Sequence, residues 1–233
     1  MRHVVNAALV AYALALSLPA FAETNGPPVP VEKASYHLPV FRNDQVMLLD
    51  VYIPPGRTFN YHTHSLDQIS VLIAETDQTG QVYGGEPTPA RRGVRGTVNF
   101  AFDSKKPVSH MGTNVGTTPF HNIVVALLQP QPSGFSAGSR ADAPAYVQVV
   151  DNERLRAWRL ILQPGESVSA ITQSAPGMRI VVDGGEILEM VPGELDRARA
   201  LRTGQYFWQD PGVTRAIRNT GTTPVHIVEF ELK

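Results

Sequence analysis

The chain of 233 residues contains no cysteine. That excludes disulfides, thiolate metal ligands and a cysteine nucleophile, so any metal site must use His, Asp, Glu, Gln or water. It also has almost no net charge: 20 Lys and Arg stand against 21 Asp and Glu. A nucleic-acid binder needs a basic surface for phosphate contacts, and none is written here. No apolar run reaches the roughly 20 residues that a bilayer-spanning helix requires. There is no Walker loop, no dinucleotide fingerprint and no Gly-x-Ser-x-Gly elbow. His64, Ser65 and Asp67 are too close in sequence to meet as a catalytic triad. What is abundant is turn chemistry, with 19 Gly and 19 Pro, which favours short strands over long helices.

The first 22 residues read as an address. Arg2 and His3 precede an apolar run from Ala7 to Leu18, and Ala20-Phe21-Ala22 supplies a small-x-small cleavage site. Residues 1–22 are therefore expected to be a signal peptide directing a periplasmic or secreted protein. Residues 23–33, polar and Pro-rich, are expected to be a flexible leader.

The remainder is a succession of strand-like runs rich in β-branched and aromatic residues. They lie near 45–53, 68–75, 96–102 and 121–128, then near 145–151, 155–163, 178–182, 185–191, 205–209 and 225–232. The stretch 193–203 has the composition of a short helical turn. Residues 129–144, mostly Pro, Gly, Ser and Ala, read as a linker. An internal repeat supports this division. Asn114-Val-Gly-Thr-Thr-Pro-Phe-His121 matches Asn219-Thr-Gly-Thr-Thr-Pro-Val-His226, and Tyr52-Ile-Pro-Pro-Gly56 resembles Ile161-Leu-Gln-Pro-Gly165. Two all-β units follow, 34–128 and 145–233.

Chemistry concentrates in the first unit. His62 and His64 are two apart, so on a strand both imidazoles share a face. His110 stands farther along, four residues before Asn114. Neutral imidazoles with an amide oxygen suit one borderline divalent metal ion such as Zn, Ni, Fe, Mn or Cu.

These residues resemble the cupin superfamily. Gly56, His62, His64 and Gln68 match its first motif, Gly-x5-His-x-His-x3-4-Glu, with Gln at the acidic position. Pro107-Val-Ser-His110-Met-Gly-Thr-Asn114-Val-Gly116 matches the second. The resemblance implies two tandem cupin barrels (double-stranded β-helix, or jelly roll), with a mononuclear metal held in the N-terminal one by His62, His64, Gln68 and His110. Asp67 is the alternative fourth ligand, and strand parity favours Gln68. A ligand set without a carboxylate would leave the ion at +2 and favour an anionic or oxygen-rich ligand on it.

The second copy has Ile171 and Gln173 where the histidines stand, and Arg215 in place of His110. A guanidinium does not deprotonate and cannot ligate, so this barrel is expected to be metal-free and degenerate, with Arg215 making a structural or solvent contact; the alternative is that it binds an anion in the vestigial cavity. His121 and His226 recur in both copies and read as structural. His37 has no partner set and receives no role. Trp158 and Trp208 are expected in the C-terminal barrel core. The Arg91–Arg95 and Arg197–Arg202 clusters read as solvated faces. Three readings remain open: a metal-dependent enzyme of dioxygenase, decarboxylase or isomerase type acting on a small oxygen-rich molecule, a non-catalytic metal- or small-molecule-binding module, and, last, a purely structural barrel without metal. A homodimer is possible, or an intrachain pseudo-dimer in its place.

Overall fold

The computed structural model describes residues 26–129 and 134–233. The expected signal peptide lies outside the described residues. The chain is all-β, folded as two tandem barrels of two sheets each. In the first barrel, one sheet runs in the order His37–Arg42, Val46–Ile53, Phe120–Leu127, Gln68–Ala74, Val98–Ala101. The facing sheet runs Val29–Pro30, Thr58–His64, Val108–Asn114, Asp77–Val82, Arg91–Arg92. The second barrel repeats this order from Tyr146–Asp151 onward, lacking only a counterpart of Val29–Pro30 among its described strands.

The sequence repeat has a physical reason. Asn114 donates through Nδ2 to the carbonyls of Ile53 and Thr118, and its Oδ1 accepts from Gly116 N–H. Asn219 makes the same three bonds, to Leu162, Thr223 and Gly221. One buried amide thus ties the start of the last hairpin to an earlier strand end, and few other side chains offer two donors and an acceptor at that reach. Gly56 and Gly165 sit beside these ties at φ of 71° and 82°, a conformation that costs other residues about 1–2 kcal/mol.

The two barrels pack back to back. Along Val46–Ile53, Val46 and Leu48 face the other barrel while Met47, Leu49, Val51 and Ile53 fill their own barrel's interior. Burial on both faces explains the apolar run over residues 46–49, since alternation marks sheets with one wet face. Val71 and Val125 meet Met178, Val228 and Phe230 in this shared core. Around it the barrels interlock. His121 lies 2.7 Å from where a Cβ would stand on Gly204, and His226 occupies the corresponding space at Gly96. Arg95 crosses from the first barrel to Asp183 of the second at 2.6 Å.

Several expectations change. Val29–Pro30, placed in the flexible leader, pairs in parallel with the histidine-bearing strand, Val29 opposite His62. Val31 buries itself against the first barrel, which gives the segment a hydrophobic reason to stay. The stretch 193–203 carries the strand Arg197–Leu201, held by cross-strand pairing to Gly185–Met190 rather than by helical contacts. The described part of 129–144 is no loose linker: Arg140 is buried in the second barrel and Ala143 joins its core. Trp158 does lie in that core, but Trp208 stacks on Phe41 in the contact between barrels, with ring centroids 6.1 Å apart.

Candidate metal centre

Two neighbouring strands bring the three histidines together. His62 and His64 alternate on Thr58–His64, and His110 on Val108–Asn114 is the cross-strand partner of His62. Nε2 of His64 lies 2.9 Å from Nε2 of His62 and 3.0 Å from Nε2 of His110. Nitrogens bound at right angles to an ion about 2.1 Å away would be about 3.0 Å apart, so both spacings fit edges of an octahedral shell.

The protonation states suit ligation. Burial, with the neighbouring imidazoles adding to it, lowers His62 to about 2 and His64 to about 4, and burial lowers His110. All three are neutral near pH 7, as metal ligands must be. Nδ1 of His62 lies 3.2 Å from the Asn60 carbonyl, which can only accept. The proton therefore sits on Nδ1 and leaves the Nε2 lone pair facing the other two rings.

Gln68 opens the strand Gln68–Ala74 and faces the same space as His64 and His110. Its Nε2 donates to Asp103 at 2.7 Å, and its side chain also hydrogen-bonds His64. Because the carboxylate takes the amide's NH2 end, the oxygen is the end left for ligation. Asp67 is turned elsewhere. It accepts from the Ser104 N–H and hydroxyl and pairs with Arg154 of the second barrel at 3.0 Å, fully buried.

Two residues of the site carried no sequence signal. Asp103 follows an exposed Phe in a turn, yet it is buried against Gln68, and burial raises its carboxyl. His37, with no motif around it, packs its ring centroid 4.4 Å from that of His62 at a tilt of 59° and lines the cavity; burial lowers it to about 4. The cavity in front of the histidines measures ≈ 400 Å³. Its walls combine Val51, Phe59, Phe120 and Val124 with the polar Ser70, Gln78, Asn99 and Asn122. Among the described residues lining it there is no Lys or Arg, and Asp103 is the one carboxylate.

The second barrel fills the same space differently. Strand register sets Ile171 opposite Arg215, as His62 is opposite His110. Gly177 pairs with Glu231 where Gln68 pairs with Ala126. An ion-pair network occupies the interior. Glu229 is bound by Arg140 at 2.5 Å, Arg179 at 2.7 Å and Arg215 at 3.5 Å. Arg140 lies over the Trp158 ring, 4.0 Å from its centroid.

Solved structures share this architecture. AerE from Microcystis aeruginosa superposes with a TM-score of 0.57 at 15% identity, over 88% of this chain and 98% of that one. The salicylate 1,2-dioxygenase from Pseudaminobacter salicylatoxidans gives 0.55 at 14% identity, over 84% and 76%. A cupin 2 conserved barrel domain protein from Leptotrichia buccalis gives 0.50 at 9%, over 84% and 88%. This chain has the cupin fold. A variant of the dioxygenase, solved with gentisate bound, matches at 0.57 and 13% identity, over 84% of this chain and 73% of that one. No protein-family model and no curated protein matches the sequence. Within the tandem cupin architecture, the first barrel carries a histidine group able to hold a metal ion. Among the described residues no helix is long and apolar enough to cross a membrane.

Proposed function

We propose that the first barrel binds one divalent metal ion through His62, His64, His110 and Gln68 and acts as a dioxygenase-type enzyme, with O2 as co-substrate, on a small oxygen-rich molecule with an apolar body. The observation that carries this is the convergence of three neutral imidazole nitrogens, 2.9 and 3.0 Å apart, at a cavity of ≈ 400 Å³ with largely apolar walls. A bound divalent ion would supply Lewis acidity toward oxygen ligands.

The protein's own groups would do the rest. His62 is held by Asn60, Gln68 by Asp103, and the apolar walls exclude water around a ring-sized body. With no Lys or Arg among the described lining residues, an acidic substrate would have to place its carboxylate or hydroxyl oxygens on the ion. The cupin dioxygenase among the structural neighbours supports this reaction class.

A non-catalytic binding module is the second reading. It is favoured by the engagement of Asp103 with Gln68 and of His37 Nδ1 with the Ser35 carbonyl, which leaves neither committed to proton transfer. Oxygen uptake by metal-loaded protein, with salicylate, gentisate and related hydroxy acids, separates the two. Substrate-dependent uptake lost in His64→Ala supports the enzyme. Saturable binding of these acids without uptake, for every metal tried, supports the binding module. The signal-peptide-like sequence of residues 1–22 supports a periplasmic or secreted location for either activity.

A further inference from the structure

The ion-pair network inside the second barrel does not balance. Following its contacts links Arg140, Arg179, Arg199 and Arg215 to Glu189, Glu229 and Glu231. Four guanidinium groups meet three carboxylates. Burial tends to raise the Glu229 carboxyl, but Arg179, Arg140 and Arg215 outweigh it and hold it well below the usual range, so it stays ionised. The buried members balance, Arg140, Arg179 and Arg215 against Glu189, Glu229 and Glu231, so the surplus cation is Arg199, whose side chain is 41% exposed at the edge of the network.

The network borders a cavity of ≈ 300 Å³ that Arg179, Arg199 and Arg215 line together. Arg179 is 2% exposed and Arg215 6% exposed. Nη2 of Arg179 and Nε of Arg215 are buried N–H donors without a hydrogen-bond partner among the described residues. Such donors in a native interior call for an explanation, and a bound acceptor is the direct one. The remaining walls are mixed: Val191, Phe207, Trp208 and Val213 stand beside Gln209, Arg197, Glu189 and Glu194, so four guanidinium groups line the cavity against two carboxylates.

We propose that this cavity is a binding site for a small organic monocarboxylate with an apolar or aromatic body. The carboxylate would neutralise the surplus charge and accept from Arg179 and Arg215, and the body would rest on Phe207 and the valines. The vestigial barrel would then have exchanged a metal for a guanidinium cluster as its anion receptor. This site is independent of the metal centre and stands or falls without it.

The test uses the His62→Ala/His64→Ala double variant, which removes first-barrel metal binding from the measurement. Benzoate is titrated by calorimetry, with tryptophan fluorescence in parallel because Trp208 borders the cavity. The expected result is one equivalent bound per chain, with Kd raised at least tenfold in Arg215→Leu and in Arg199→Gln. The Arg199 side chain is 41% exposed, so its replacement should leave the fold intact even if Arg215→Leu does not. Inorganic phosphate serves as the second probe and should bind more weakly than benzoate. Absence of saturable benzoate binding overturns the proposal. So does binding that is unchanged in folded Arg199→Gln, and so does phosphate binding as tight as benzoate.

Discussion

Asp103 accepts a hydrogen bond from Nε2 of Gln68 at 2.7 Å, and this fixes which end of the amide is free. An amide has two ends of similar shape and opposite hydrogen-bonding sense, so Gln68 without this partner could present NH2 to the histidines. Asp103→Leu removes the acceptor at similar size. Metal affinity should fall by about ten- to a hundredfold, the usual cost of losing a partner that orients a ligand. Competition against a chromogenic chelator measures it. Unchanged affinity would remove Asp103 from the site and count against Gln68 as a ligand.

Metal removal should cost stability, since an ion bound only by the native state raises its free energy of unfolding. Chelator-stripped protein should melt lower than metal-loaded protein. In His64→Ala the two melting curves should coincide while each remains cooperative. Differential scanning calorimetry on the four samples decides it. A metal-dependent shift of equal size in His64→Ala would place the stabilising ion elsewhere.

Acid should weaken the metal-free protein in a defined window. His37 and His64 are lowered by burial to about 4 and His62 to about 2, whereas the unfolded chain titrates near 6.5. Between these values the unfolded state holds protons that the native state does not. Stability contributed by the neutral rings is therefore complete above about pH 6.5 and declines as pH falls toward 4. Each histidine contributes a slope of up to about 1.4 kcal/mol per pH unit. Urea midpoints of metal-free protein should drop between pH 7 and pH 5, and more steeply than in His37→Phe. A midpoint that rises over that range would reverse the assignment.

Gly96 sits at φ 78° with His226 of the other barrel where its Cβ would be. Gly96→Ala should cost about 2–4 kcal/mol, combining the backbone penalty with the overlap. Adding His226→Ala should recover the overlap part and leave the backbone part. Denaturant unfolding of the single and double variants separates them. Full additivity would show that the two residues do not touch.

Much of this was legible in the sequence, for reasons that differ by element. Stretches buried on both faces, such as residues 46–49 and 123–127, announce themselves as apolar runs. The repeated Asn-x-Gly turns did the same, because one amide performs the same three-bond task in each barrel. The strands Val108–Asn114 and Asp77–Val82 line the polar side of the cavity, so they lack that pattern and do not stand out as strand-like runs. Asp103 and His37 were invisible because their roles depend on strands distant in sequence. The buried role of Arg140 was hidden in the same way, since its carboxylate partners lie some ninety residues further on.

The account rests on the three imidazoles and Gln68 closing on one ion, and cobalt(II) substitution probes that most directly. Titration of metal-free protein should saturate at one cobalt per chain. The weak visible bands of a five- or six-coordinate ion should appear, as nitrogen spacings of 2.9 and 3.0 Å imply. They should be abolished in His62→Ala and altered in Gln68→Leu. No cobalt bound, or spectra identical in wild type and His62→Ala, would contradict the metal centre.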